Sequence, residues 1–167
     1  MTRLLLLAFG RQTEYYRAIF AALSAWAWQP SPTVAATIYT DQPSFFEPYL
    51  AGLPVEYNCL SESRLAELKG PLNFVHRVKA QLIAQAFLDY PTEDLLYVDS
   101  DAFFMAAPDG LLQRLAQGVP FMHQYEYRLA EAVAKHAEFG EGHYPEKLLA
   151  LLASRSFSLV PSKPATN

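Results

Sequence analysis

The chain has 167 residues, of which 51% are hydrophobic and 18% charged, a balance that builds a packed core rather than a disordered segment. Its formal net charge is −4 and it contains no block of Lys and Arg, which excludes a phosphate-tracking nucleic-acid footprint. The one cysteine, Cys59, excludes an internal disulfide and the common zinc spacings, so a cytoplasmic location is expected, with peripheral membrane attachment left open.

The run Leu4–Phe9 holds six apolar residues before Gly10 and Arg11 and lacks a small-residue cleavage pattern. It reads as a strand buried on both faces rather than as a signal peptide. Residues 13–28 place Tyr16, Ile19, Phe20, Leu23 and Ala27 at helical spacing, and Gln29-Pro30-Ser31-Pro32 ends that helix. Val34–Thr40 reads as a second strand. Asp41-Gln42-Pro43 turns into a short helix carrying Phe45, Phe46 and Tyr49, with Asp41 favoured as its cap over a place beside a nucleotide. Val55–Asn58 is a third strand. A long helix over 73–88, closed by Asp89-Tyr90-Pro91, leads into a fourth strand, Leu95–Val98. Asp109 is expected to cap a helix through Ala116, Val119–His123 to form a strand, and 126–138 a further helix. This alternation specifies an α/β domain with a mostly parallel open sheet over residues 1–153. Residues 154–167 read as a polar tail or the start of a missing C-terminal half. No segment reaches the roughly 18 apolar residues of a membrane span.

The fourth strand ends in LLYVDSDAFF, residues 95–104, where a greasy run is cut by Asp99 and Asp101. On an extended backbone, residues i and i+2 point to one side with Cα atoms roughly 6.5–7 Å apart. Both carboxylates would then share one volume, with Ser100 turned away. Two like charges there repel unless a cation or a shared proton offsets them, and a hard divalent ion suits all-oxygen ligation. The competing reading makes both aspartates turn residues, since Asp is common where strands end. On the preceding helix, Val75, Val78, Leu82, Ile83 and Ala86 form one apolar stripe at about 100° per residue, and Lys79 falls inside it. A lysine there either snorkels to the edge or serves an anion. Arg77 lies on the opposite, solvent side, and His76 is given no role.

LLYVDSDAFF, with TIYTDQPSFF near the front and VKAQLIAQAFLDYP between, resembles the nucleotide-sugar glycosyltransferases of the GT-A fold, a Rossmann-like architecture. The likeness is to the family-eight-like branch, in which a strand ends in a DxD motif. It covers residues 3–125 in element order and is motif-like over 74–105. The resemblance implies a divalent metal, Mn²⁺ or Mg²⁺, at Asp99 and Asp101, holding the diphosphate of a nucleotide-sugar donor, commonly a UDP-sugar. Asp101 would contact the metal directly, while Asp99 would share it or hold the donor ribose, and Ser100 would lie in the donor site. Lys79 matches a basic residue that reaches the donor phosphates, with Arg77 as a weaker candidate. Ala8, Phe9 and Gly10 would cradle the base, with Tyr15 or Tyr16 stacking on it.

The acceptor, whether carbohydrate, lipid or protein, is left open, and nothing in the spacing selects a catalytic base. Glu126, Glu141, His123 and His143 are expected on a solvated surface. Complete members of the family are longer, with a back half that supplies acceptor elements and often a third metal ligand. The expectation is therefore a donor-binding front portion. Two other readings compete. A haloacid-dehalogenase-like phosphatase also carries hhhhDxD, but after its first strand, with Thr or Val where this chain has Phe103. In a non-catalytic α/β interaction module the aspartates would only cap a turn.

Overall fold

The computed structural model describes residues 1–28 and 33–121. The chain divides into two compact units, Met1–Pro120 and Phe121–Asn167, and the description below concerns the first. Its elements are β1 (Thr2–Ala8), α1 (Gln12–Ala27), β2 (Val34–Thr40), α2 (Pro43–Leu50), β3 (Val55–Cys59), α3 (Glu62–Lys69), α4 (Val75–Asp89), β4 (Asp94–Tyr97) and α5 (Asp109–Ala116). The four strands form one open sheet of order β3-β2-β1-β4, and every pairing is parallel. The α/β class and the Rossmann-like arrangement expected from the alternating elements are both present.

β1 explains why its sequence is apolar without a break. Alternate side chains of a strand leave opposite faces. Leu4, Leu6 and Ala8 enter a core with α1 and α2, whereas Leu5, with Leu7 and Phe9 alongside, enters a second core with α3 and α4. A strand covered on both sides has no polar face to show. The chain runs outward from β1 to β2 to β3, then returns to place β4 on the other side of β1. The helices change face with that reversal. The reversal falls between β1 and β4, and in open α/β sheets ligands gather outside the C-terminal strand ends at such a point.

α1 buries a face that its large apolar residues did not mark. Ala18, Ala21, Ala22 and Ala25 press against the sheet with Tyr15, Ile19 and Trp26, while Tyr16 and Phe20 are 50% and 56% exposed. Of the residues noted at helical spacing, Ile19 faces the sheet, whereas Tyr16, Phe20 and Leu23 are exposed. Alanines let the helix backbone lie close to the strands, and close packing outweighs the greater hydrophobicity of bulkier side chains. Phe20 has its own use: it meets Phe103 edge-on at 5.2 Å, and Phe104 N–H donates to Ser24 Oγ at 2.9 Å. α4 follows expectation at Val78, Leu82 and Ala86, but Val75 in its first turn is exposed.

α3 was not expected from the pattern. Ser61 caps it by accepting from Arg64 N–H, Gly70 ends it at φ +69°, and only Leu65 and Leu68 face inward, too few for a visible stripe. Pro108, not Asp109, holds the N-cap position of α5, and Asp109 begins the helix without a side-chain capping bond. The expected strand at Val119–His123 runs beyond the described residues, and Val119–Phe121 carry no regular structure. The expected helix over 126–138, with His123, Glu126, Glu141, His143 and the tail at 154–167, lies outside the described residues.

Charge is also buried at the N-terminal edge of the sheet. Arg3, 6% exposed, donates from Nε and Nη2 to the two carboxylate oxygens of Glu93 at 3.0 and 2.9 Å, and from Nη1 to Thr37 Oγ1 at 3.1 Å. It also pairs with Glu56 at 3.2 Å and lies 3.9 Å from the centroid of the Tyr90 ring. Burial alone would lower the Arg3 pKa, but the Glu93 hydrogen bond and the charges of Glu56 and Glu93 outweigh it, and the net shift is upward. Removing Glu93 leaves the buried guanidinium with only the exposed Glu56 as a carboxylate partner, and breaking a buried pair in this way costs about 3 kcal/mol. Glu93→Ala is accordingly expected to lower the urea midpoint more than Arg3→Met, which replaces the charge with an apolar chain. Equal midpoints for the two variants would count against this account.

Candidate functional site

The C-terminal ends of the strands carry two hydrogen-bonded groups, one on each side of β1. The first is built on Asp41, where β2 ends. Gly10, after β1, adopts φ +81°, a conformation that glycine takes without strain. Its N–H donates to both Asp41 oxygens, at 3.3 and 3.1 Å, and Tyr15 Oη donates to Asp41 Oδ1 at 2.8 Å. Burial, then the Asp41 hydrogen bond and charge, push the Tyr15 pKa up. The expected cap role of Asp41 is corrected. Gln42 is the N-cap residue of α2, which has no side-chain capping bond, and Asp41 instead ties the end of β2 to the β1–α1 turn.

The second group is built on Asp99. Val98 N–H still donates to Leu5 C=O at 3.1 Å, and Ala102 N–H then closes a turn onto Asp99 C=O at 3.0 Å. Asp99 and Asp101 therefore occupy the first and third places of a four-residue turn, not successive same-side places on an extended strand. The expected extended geometry is corrected here: the ladder ends at Val98, so the period-two rule stops applying one residue before the doublet. Lys79 Nζ, reaching from α4, lies 2.6 Å from Asp99 Oδ1 and 2.9 Å from Oδ2. Tyr97 Oη donates to Asp99 Oδ1 at 3.0 Å. Asp101 is exposed and makes no hydrogen bond or ion pair to a described residue.

Ser100 ties the acidic turn to α1: its Oγ donates to Glu14 Oε2, in the first turn of that helix, at 3.0 Å. The segment after the doublet docks on the same helix, where Trp28 Nε1 donates to Phe104 C=O at 3.1 Å.

The remaining expected residues are placed as follows. Ala8 is buried in the core with α1 and α2. Phe9 is half-buried in the α3–α4 core, with Lys69 Nζ 6.0 Å from its ring centroid. Tyr15 is 5% exposed and packed against Phe45 and Phe46 at 5.0 and 5.7 Å, so its ring offers no free face for stacking; Tyr16 is the exposed one of the pair. Arg77 Nη1 donates to Glu67 C=O at 3.0 Å and to Leu68 C=O, closing the end of α3 rather than reaching the doublet. Glu14 and Tyr97 were not singled out beforehand. Tyr97 stands two residues before Asp99, a spacing that could have marked it.

A divalent cation is implied by the DxD resemblance, and the donor set allows it in part. Among the described residues no three His, Cys, Asp or Glu side chains assemble into a metal cluster. The doublet is nevertheless all-oxygen and exposed, and Asp99 already holds the positive ammonium of Lys79 on both oxygens. Asp101 is free to ligate and Asp99 could follow on release of Lys79, with water and ligand oxygens completing the shell, as is usual for Mg²⁺.

The Tyr97 pKa is pushed strongly upward by burial, next by the charge of Asp99 and its hydrogen bond, and then by Asp101. The folded state therefore keeps the phenol proton longer than the unfolded chain, where tyrosine titrates near pH 10. The stabilisation is complete below about pH 10 and is lost as pH rises towards the folded pKa. Tyr97→Phe is expected to flatten the fall of melting temperature between about pH 10 and 12. A fall as steep as that of the parent protein would show that Tyr97 does not contribute to it.

Comparison with family models, with curated proteins and with solved structures returned no match to this chain.

Proposed function

We propose that this chain binds a nucleotide-diphosphate sugar, a UDP-sugar foremost, as the donor side of a metal-dependent glycosyltransferase of GT-A type. The observation that carries the reading is positional. The acidic turn after β4 stands across the strand-order reversal from the Gly10 turn, and Ser100–Glu14 links the two. A crevice of this kind takes a nucleotide with its phosphates near the strand ends.

The residues divide the work. Gly10, with the backbone of Ala8 and Phe9, borders the place for the base, and exposed Tyr16 offers a ring face nearby. Lys79, on release from Asp99, supplies a positive charge to the diphosphate. Asp101, with Asp99 beside it, would hold Mn²⁺ or Mg²⁺. When bound, the ion supplies Lewis-acid stabilisation of the departing diphosphate. The acceptor is a carbohydrate, lipid or protein hydroxyl. A second reading, a non-catalytic interaction module, draws on the turn hydrogen bond of Ala102 to Asp99 and the Lys79 pair, which already give the first aspartate a structural place.

Thermal melting separates them. A ligand that binds only the folded state stabilises it, by about 2.7 kcal/mol at a hundred times its Kd. UDP is expected to raise the melting temperature with Mn²⁺ present and not without it. Asp101→Asn should remove that shift and leave the ligand-free melt almost unchanged, since Asp101 is exposed and has no hydrogen bond or ion pair to a described residue. If neither UDP nor GDP shifts the melt with Mn²⁺ present, the module reading takes its place.

A further inference from the structure

We infer that the outer face of α1 is a contact surface for a second copy of this chain, which lays its own α1 antiparallel across it about a two-fold axis. The inner face of the helix is taken up by the sheet, through Ala18, Ala21, Ala22 and Ala25. On the outer face Tyr16, Phe20, Leu23 and Ala27 are all exposed, the first three at 50%, 56% and 37%. Their spacing of four, three and four residues is that of a coiled-coil seam, which a helix of matching pattern covers. Single exposed apolar residues are ordinary, but a continuous seam of them marks an interaction site.

The seam complements itself. With the axis between Phe20 and Leu23, Phe20 meets the partner's Leu23, and the large ring of Tyr16 meets the small partner's Ala27. Large against small lets the layers interdigitate. A surface that matches its own image closes on one partner instead of propagating. Charge raises no obstacle, because Glu14 and Arg17 beside the seam pair with each other at 2.9 Å. The antiparallel direction also sets each helix N-terminus beside a C-terminus of opposite partial charge. Alongside, Phe20, Leu23, Ser24, Ala27, Trp28 and Phe104 line an open apolar hollow of about 470 Å³. Ser24 Oγ and Trp28 Nε1 are already bonded to backbone groups, so the hollow suits an apolar side chain of a partner and not a polar ligand.

The area is adequate. An aromatic side chain buries about 150 to 250 Å². Tyr16, Phe20, Trp28, Tyr49 and Phe103 each remain about half exposed, and with Leu23 they offer roughly 600 Å² per copy, against about 800 Å² in a standard interface. That corresponds to a dimer of modest, micromolar affinity. A lipid surface fits less well, since membrane-lying helices carry free Lys and Arg on the polar face, whereas Arg17 is held by Glu14.

This surface shares only Tyr16 with the nucleotide reading and does not depend on it, so the test leaves Tyr16 intact and uses no nucleotide. Sedimentation velocity of the purified chain over the micromolar range is expected to show a reversible monomer–dimer equilibrium. Phe20→Glu and Leu23→Lys should each weaken the dimer by about tenfold or more with the circular dichroism of the parent, since both side chains are exposed. Mixed in equal amounts, the two variants should regain it. The introduced carboxylate of one copy then faces the introduced ammonium of the other, and the second contact keeps its native Phe20 and Leu23. If a charged variant fails to fold, Phe20→Ser takes its place and should weaken the dimer several-fold. A parent chain that stays monomeric throughout would overturn the inference, as would a dimer that both variants retain, because another face would then hold it. A mixture that remains monomeric would overturn the antiparallel pairing. A monomeric parent that binds phosphatidylcholine–phosphatidylglycerol vesicles, with Phe20→Glu failing to bind, would give the face to a membrane instead.

Discussion

Burial of β1 on both faces is the constraint from which the rest of the unit follows. A strand sealed on both sides needs helices above and below it, and successive crossovers of one hand lay their helices on one face only. The chain meets the requirement by reversing direction after β3, which sends α3 and α4 to the second face and β4 to the free side of β1. The strand-order reversal between β1 and β4 is thus a by-product of covering Leu5 and Leu7.

The two ends of the sheet treat charge in opposite ways. At the N-terminal edge, Arg3 is enclosed by Glu93, Glu56, Thr37 and the Tyr90 ring, and its donors find acceptors within the fold. Close by, the hydroxyl of Tyr39 is buried without a partner among the described residues, and burial raises its pKa to about 12. At the C-terminal edge, Asp41 and Asp99 each hold one donor shared by both oxygens and one tyrosine hydroxyl, and Asp101 is exposed with no hydrogen bond or ion pair to a described residue. Internally closed charge holds strands together; open charge at a crevice is available to something else.

Legibility from sequence tracked how far each feature depends on local pattern. β1 and β2 were readable because a continuous apolar run has few other uses, and α4 because Val78, Leu82 and Ala86 repeat with the helical period. The inward face of α1 was not readable, since its alanines score as weakly apolar and their value lies in small size. α3 was missed because two leucines in a charged stretch make no visible stripe, although Ser61 and Gly70 marked its ends. The acidic doublet could be found but not oriented: whether a ladder stops at Val98 or Asp101 depends on pairing with Leu5, a contact that no local window contains. Asp41 had the same difficulty. Its partners, Gly10 and Tyr15, lie 31 and 26 residues away, and a nearby helix start offered a simpler use for it.

α1 has one further consequence. Its Ala-rich side is seated on the sheet, its N-terminal turn receives Ser100, and its outer side anchors Phe103 and Phe104 through Phe20, Ser24 and Trp28. The loop bearing the two aspartates is thus clamped at both ends to the same rod that begins just after Gly10. The rod works as a jig: it sets where the aspartate loop lies relative to the turn at Gly10.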